Sequence, residues 1–427
     1  MRGDLDRHHR GILASEYSSI EIIEADLPGR RKPTFCVIGA GHGGLAMAGY
    51  LAIQGFSVKL YNRSEERLQS IWMLGGIQVE GEISGFGSIS IATTDIEEAI
   101  DGVDVVMVVI PATGHRSIAE KCAPYLKPNQ IIVLNPGRTG GALEFKRTLM
   151  ENGVDVPVIV AEAQTFIFAS RVTGPGQVKI FCIKNSIPVA ALPAYLTPTV
   201  LNFIRIAFPQ FVPGDNVLKT SFDNIGAVFH PALAILNSAW IEETHGDFEF
   251  YLQGASPSVA SVLEALDQER VNVAAALGIR ALKAREWLYL AYDAVGNDLY
   301  TALHANPGYR GIRAPNRLTH RYIREDVPMS LVPLASIGDM LGVPTPTSKS
   351  IIHLANIIHN IDYWAEGRTV DKLGIMGLSV REIRLLAVDG LMSISRTLSE
   401  LPMITDKFYD NKAIYQLPDY DEEVNIA

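Results

Sequence analysis

From position 34 onward the chain alternates short, wholly apolar runs with longer stretches of helical period. Phe35-Cys36-Val37-Ile38 has no polar position, as expected of a strand buried on both faces. Residues 45–54 are small and apolar on the side that would meet a sheet, and Gly55 is suited to the helix end. Residues 57–61 form a second strand and close a βαβ unit of about 30 residues. Residues 72–91 alternate among many glycines and predict a hairpin or small β excursion. Asp95 with Glu98 is a capping-box signature for a short helix through Ile100. Strands are predicted over 104–110, 130–134 and 156–163, with a helix over 115–126. Residues 165–192 hold further β runs around Gly174-Pro175-Gly176 and Asn185-Ser186. Near 193–216 strand patterns vanish. Helical period then dominates over 200–207, 231–243, 256–277, 281–293, 331–341, 348–364 and 380–398.

This layout predicts an α/β chain: an N-terminal Rossmann-type, doubly wound domain over 34–200, then an all-α domain over 201–427. Residues 1–33 are polar and mixed in charge, and are expected to be a loosely ordered extension or a surface strap. The active site belongs in the cleft between the domains.

Gly39, Gly41 and Gly44 stand in the spacing G-x-G-x-x-G at the end of the first strand, with His42 and Gly43 between them. The three glycines serve three different needs, namely the tight turn, the close approach of backbone to a pyrophosphate, and close helix–sheet packing. The first helical turn then offers its free N–H groups to the phosphates. The flanking strands and helix supply the context that a bare glycine pattern lacks. The alternative is a doubly wound domain whose glycines serve packing alone. At the end of the second strand, an acidic residue would hold the ribose 2′-OH of NAD. Here Asn62 and Arg63 stand instead, with no carboxylate to repel a 2′-phosphate and a guanidinium able to grip one. NADP is therefore expected over NAD; the bland alternative is a solvated Arg63 and an enzyme that takes both. Pro111, in the loop after the 104–110 strand, is expected to line the cofactor cleft, as is the loop 135–141. His42 and His115 are expected near phosphate, ribose or water, and Glu162 and Thr165 at the cleft edge near the nicotinamide.

Composition narrows the partners. The length of 427 residues suits two domains, and 48% hydrophobic residues suffice for sizeable cores. A net charge of −10 argues against nucleic acid or an anionic membrane as the main partner. No apolar run approaches the ~20 residues needed to span a bilayer. The three cysteines, Cys36, Cys122 and Cys182, are widely spaced and mostly within apolar runs, so buried thiols in a reducing cytoplasm are expected. No cluster has metal-ligand spacing, so no protein-bound metal is expected. The apolar residues Ile351, Ile352, Leu354, Ile357 and Ile358 suggest a homodimer through the helical domain.

Two stretches of the helical half carry polar chemistry. One is Asn224-Ile225-Gly226-Ala227-Val228-Phe229-His230-Pro231, expected to open a helix. The other runs from Tyr309 to Pro328 and contains Arg321-Tyr322-Ile323-Arg324-Glu325-Asp326, followed downstream by Gly342-Val343-Pro344-Thr345-Pro346. With the early glycine motif, the His-Pro, the R-x-x-x-x-D and the G-V-P-T-P, the chain resembles the octopine/nopaline (opine) dehydrogenase family over most of its length from Phe35 to about Leu378. The resemblance implies reductive condensation of a 2-oxo acid with the amino group of an amino acid, driven by a nicotinamide cofactor. It implies a catalytic His–Asp pair, matched here by His230 and Asp326, and an arginine that holds a carboxylate, matched by Arg321.

The chemistry of those residue types agrees. Forming a C=N bond needs protons moved from an ammonium and to a departing oxygen, which suits a histidine. An aspartate on its ring N–H fixes the tautomer. A bidentate arginine orients a carboxylate. The alternatives are a His230 bonded to a backbone carbonyl, an Asp326 acting as a turn residue, and Arg313, Arg317 or Arg324 in place of Arg321. Two other activities compete: a hydroxy-acid or ketopantoate-type reductase, for which Lys219 is the lysine nearest His230 in sequence, and a nicotinamide-sensing protein without turnover.

Overall fold

The computed structural model describes residues 32–390, so the expected 1–33 extension and the end of the expected 380–398 helix lie almost wholly outside the described residues. Its strands are β1 (Phe35–Ile38), β2 (Val58–Tyr61), β3 (Gly76–Gly81), β4 (Gly85–Ser88), β5 (Ile91–Thr93) and β6 (Val105–Val108). They continue with β7 (Ile131–Leu134), β8 (Ile159–Ala163), β9 (Phe168–Gly174), β10 (Gln177–Ile183), β11 (Ile187–Leu192) and β12 (Phe211–Pro213). Eight of them form one sheet in the order β12-β11-β8-β7-β6-β1-β2-β5. Neighbours are parallel except β8 and β11. The apolar runs owe their lack of polar positions to burial on both faces: Phe35 and Val37 enter one core, Cys36 and Ile38 the other.

The other four strands form a small sheet in the order β4-β3-β10-β9, so the two expected β excursions, about 100 residues apart, meet here. This sheet explains the helix His42–Ile53, which is apolar on nearly all sides. The main sheet covers one side of it. The small sheet covers the other, where a Cβ on Gly49 would lie 2.6 Å from the Val79 side chain.

Several boundaries differ from expectation. The sheet continues past residue 200: after the helix Thr197–Ile204, β12 adds beside β11. A three-residue edge strand is too short to show a period. The helix expected over 231–243 is two helices, Gly226–Leu236 and Ser238–Thr244. They break at Asn237, whose amide donates to the carbonyls of Leu233 and Gly254. His230 therefore lies inside the first helix, and Pro231 follows it there. The 348–364 expectation likewise splits into Pro346–His359 and Tyr363–Glu366 around Asn360, which has φ +50°. Short helices at Val217–Phe222, Leu299–Ala305 and Arg321–Arg324 were not expected. Cys182 is exposed, whereas Cys36 and Cys122 are buried as expected.

The helical half has its own core, built on residues such as Phe229, Leu233, Phe248, Leu263 and Tyr363. It also covers one face of the main sheet. Phe222, Val273, Leu334, Leu373 and Ile383 share a single core with Ile38, Val106 and Ile132. The chain thus returns at residues 370–387 to seal the domain it began.

Candidate active site

At the glycine turn the backbone does what the motif requires. Gly39 has φ +116°, and a Cβ there would lie 2.5 Å from the carbonyl oxygen of Val109. A Cβ on Gly44 would lie 1.6 Å from the Gly39 carbonyl oxygen, so helix and turn touch directly. Gly41 alone of the three has nothing within 4 Å of such an atom. That open space at a helix N-terminus fits a pyrophosphate. His42 starts the helix. Its Nδ1 accepts from the Val172 amide at 2.9 Å, and its carbonyl accepts from the Ser170 hydroxyl at 3.2 Å. Burial, then the charges of Arg171, Arg67 and Arg321, lower its pKa. The imidazole is therefore neutral with its proton on Nε2, and only that N–H remains for a ligand. Gly43 lies under the Phe166 ring, 2.9 Å from its own absent Cβ.

Asn62 is buried and fully engaged with protein. Its Oδ1 accepts from the Ala40 amide, and its Nδ2 donates to the carbonyl and hydroxyl of Ser64. Its side chain thus shapes the turn, and Arg63 beside it is exposed. Pro111 is exposed, and Ala112 beside it is buried.

In the helical half, His230 Nδ1 lies 2.6 Å from Asp326 Oδ2, although 96 positions separate them. Asp326 is fully buried, while the His230 side chain is 18% exposed. The ring is clamped on two further sides. Its Nε2 is 2.9 Å from the Tyr251 hydroxyl, and Tyr322 stacks on its face with ring centroids 4.0 Å apart. Burial, with Tyr322 and Tyr309 nearby, pushes the Tyr251 phenol well up, so it stays protonated beside Nε2. His320 packs edge-on against Tyr322 and is lowered to about 4 by burial and then by the Arg321 charge.

Arg321 is half exposed and pairs with Glu325 at 2.7 Å. It is near enough to the glycine turn for its charge to be felt at His42. Between Arg321 and Asp326 stand two residues that sequence reasoning passed over. Arg138, in the loop after β7, approaches Glu325 through Nε at 3.3 Å and Asp326 Oδ1 through Nη1 at 3.0 Å. Glu325 also accepts from the Ala112 amide at 3.1 Å. Burial would raise the Glu325 carboxyl, but Arg138 and Arg321 outweigh it and hold the group well below its ordinary range. The signal for Arg138 was its place in Gly137-Arg138-Thr139-Gly140-Gly141, a loop already expected at the cleft.

Two other candidates, His115 and Glu162, prove to be internal, and Thr165 is half-buried. His115 is fully buried, with Nδ1 3.0 Å from Arg368 Nη2; burial and that charge keep it neutral. Glu162 accepts from the Ala142 amide and the hydroxyls of Thr220 and Ser221, and so ties β8 to two helices instead of reaching the nicotinamide. Thr165 accepts from Lys184, whose pKa burial lowers to about 8. Arg368, fully buried, pairs with Glu144 at 2.6 Å and donates to the carbonyls of Gly137, Thr139 and Ala112.

Comparison with known proteins agrees with this division. Residues 213–359 match the family described as NAD/NADP octopine/nopaline dehydrogenase, alpha-helical domain. Residues 34–137 match the NAD-dependent glycerol-3-phosphate dehydrogenase N-terminus. An opine dehydrogenase from Arthrobacter sp. (strain 1C) is 40% identical over 352 residues, 82% of this chain and 98% of the relative. Octopine dehydrogenase of Pecten maximus is 25% identical over 308 residues, 66% of this chain and 76% of its own. Among solved structures, octopine dehydrogenase with NADH and L-arginine superposes with a TM-score of 0.70 at 22% identity, over 82% of this chain and 98% of that one. Yersinopine dehydrogenase with NADP+ bound gives 0.66 at 16% identity, over 80% and 93%. At those identities the structural likeness is one of fold.

Proposed function

The chain belongs to the octopine/nopaline (opine) dehydrogenase family and is an NAD(P)-dependent oxidoreductase, and on that premise we propose the reaction it performs. It condenses a 2-oxo acid of the pyruvate or 2-oxoglutarate class with the amino group of an L-amino acid, reduces the resulting C=N bond with NADPH in preference to NADH, and runs the reverse oxidation. The observation that carries this reading is the 2.6 Å contact between His230 and a buried Asp326.

When bound, the cofactor supplies the hydride; the chain's own residues do the rest. Gly39, Gly41, Gly43, Gly44 and the Nε2–H of His42 form the phosphate cradle, with Pro111 at its rim. Arg63 meets the 2′-phosphate. Asp326 accepts the Nδ1–H of His230 and leaves Nε2 as the basic atom. That nitrogen takes a proton from the substrate ammonium as the amine attacks the oxo carbon, and returns it to the oxygen that leaves as water. The Tyr251 hydroxyl holds Nε2 in place until substrate reaches it. Arg321 keeps part of its guanidinium free of Glu325 and receives the oxo-acid carboxylate.

The ketopantoate-type alternative would need a lysine acid. Lys219 is instead paired with Asp223, one turn further along. A reducing cytoplasm and a homodimer remain part of the proposal. Ile351 and Ile352 are buried within the domain, so a dimer would use Leu354, Ile357 and Ile358, which are exposed.

The test follows NADPH absorbance with a panel of 2-oxo acids and L-amino acids. Oxidation that requires both substrates is expected. Oxidation with the oxo acid alone would mark a hydroxy-acid reductase, and cofactor binding without turnover a sensor; either result overturns the reading.

A further inference from the structure

Five groups stand in a row of alternating charge from the cleft inward: Arg321, Glu325, Arg138, Asp326 and His230, with successive separations of 2.7, 3.3, 3.0 and 2.6 Å. Four come from the helical half. Arg138 comes from the cofactor domain. We propose that Arg138 is a positioning residue of the reaction: it stations Asp326 against His230 and sets the pH at which that pair takes up its proton. The inference rests on the reading of His230 and Asp326 as the proton-transferring pair.

Three features show that the arrangement is built. Arg138 has φ +61°, a left-handed conformation that a long side chain adopts only when its surroundings impose it. Its guanidinium is buried beside the first turn of the His230 helix, and that turn is bare at the point of contact. A Cβ on Gly226 would lie 2.8 Å from Arg138 Nη1 and 3.3 Å from His230 Cε1. Finally, Asp326 Oδ1 is buried without a hydrogen bond, so the ion pair with Arg138 is what compensates that oxygen. A buried carboxylate left with one uncompensated oxygen would be costly to keep ionised.

The sign of the effect follows from the neighbours. His230 faces Asp326, the Tyr251 hydroxyl and the ring of Tyr322, with His320 behind that ring. Tyr251 and Tyr322 are raised and His320 lowered, so all three stay uncharged near neutrality. Among the described residues, charge near the pair therefore comes from Arg138, Glu325 and Arg321. Arg138 opposes proton uptake by the imidazole, and Glu325 favours it through partial cancellation of Arg138. A carboxylate arriving at Arg321 competes with Glu325 for that guanidinium. Glu325 is then freer to hold Arg138, so substrate binding and readiness to protonate are linked through one residue.

The experiment is the pH profile of kcat/KM for the full-length enzyme with NADPH, the oxo acid and the amino acid that the substrate panel identifies. It is run for wild type, Arg138→Met, Arg138→Lys, Glu325→Gln and His230→Ala, with NADPH affinity followed by fluorescence. Arg138→Met is expected to move the limb belonging to the pair up by about one pH unit. Glu325→Gln moves it down, and Arg138→Lys, which keeps the charge, stays near wild type. NADPH affinity changes less than about threefold throughout, since the glycine turn is elsewhere. Opposite shifts from two neighbouring substitutions are not a signature of general damage. If Arg138→Met yields no folded protein, the direction of the Glu325→Gln shift decides. A limb that stays in place while only the rate falls, or one that moves the same way in both variants, overturns the inference. Loss of the limb in His230→Ala with a fixed limb in Arg138→Met leaves the proton-pair reading intact and removes this one alone. An unchanged limb in His230→Ala removes both.

Discussion

The glycine turn and the charge row are near enough for the Arg321 charge to be felt at His42, yet they work by different means. At the turn, side chains are absent where they would collide: Gly39 and Gly44 let backbone meet backbone, and Gly41 leaves room for a ligand. Recognition there falls to amide groups whose direction the helix fixes. Along the row the reverse holds. Arg138, Glu325 and Asp326 fill the space between the domains, and each is tolerable only because its neighbours carry the opposite charge. The turn can hold a ligand with little change elsewhere, whereas one substitution in the row is felt at every member. Binding and chemistry therefore should respond separately to mutation, and that separation can be challenged.

The largest effect is expected at the inner end of the row. His230→Ala and Asp326→Ala should each lower kcat by at least about 100-fold, with NADPH affinity nearly unchanged. The double variant should be little worse than either, because the two act as a unit; strictly multiplying losses would show that they do not. Next comes the pair buried between the domains. Arg368→Met leaves Glu144 uncompensated and should reduce stability by roughly 3–5 kcal/mol, read from urea unfolding. A loss under about 1 kcal/mol would mean that the carboxylate finds water or another partner. The smallest effect sharpens the turn side. Arg63→Ala should raise KM for NADPH by about tenfold, as expected for one lost charge-assisted contact, and leave KM for NADH and the pH profile alone. Equal changes for both cofactors would remove Arg63 from the 2′-phosphate site.

The two regions also differ in how far they could be read from the sequence. The glycine turn with its flanking strands and helix was legible because it is written within a few neighbouring residues. His230, Asp326 and Arg321 were reached through a family resemblance, and the spacing of 96 positions between the first two says nothing by itself about contact. Arg138 was hidden for a physical reason. Its partners, Glu325 and Asp326, lie far along the chain in the other domain, and a lone arginine in a glycine-rich loop reads as solvated. Arg368 was hidden in the same way, since nothing around it marks a residue about to be fully buried. Nor does a local sequence tell that the Asn62 amide turns back onto Ala40 and Ser64.

The return of residues 370–387 to the face of the main sheet has a consequence for biosynthesis. A chain emerging from the ribosome presents β1 through β8 long before Arg368, Leu373 and Ile383 exist to meet them. Until then Glu144 lacks its cation, and the apolar face around Ile38 and Ile132 lacks its seal. At the usual elongation rate of about 5–20 residues per second, the interval between strand β8 and residue 387 lasts tens of seconds at the slow end. The half made first thus completes its packing last.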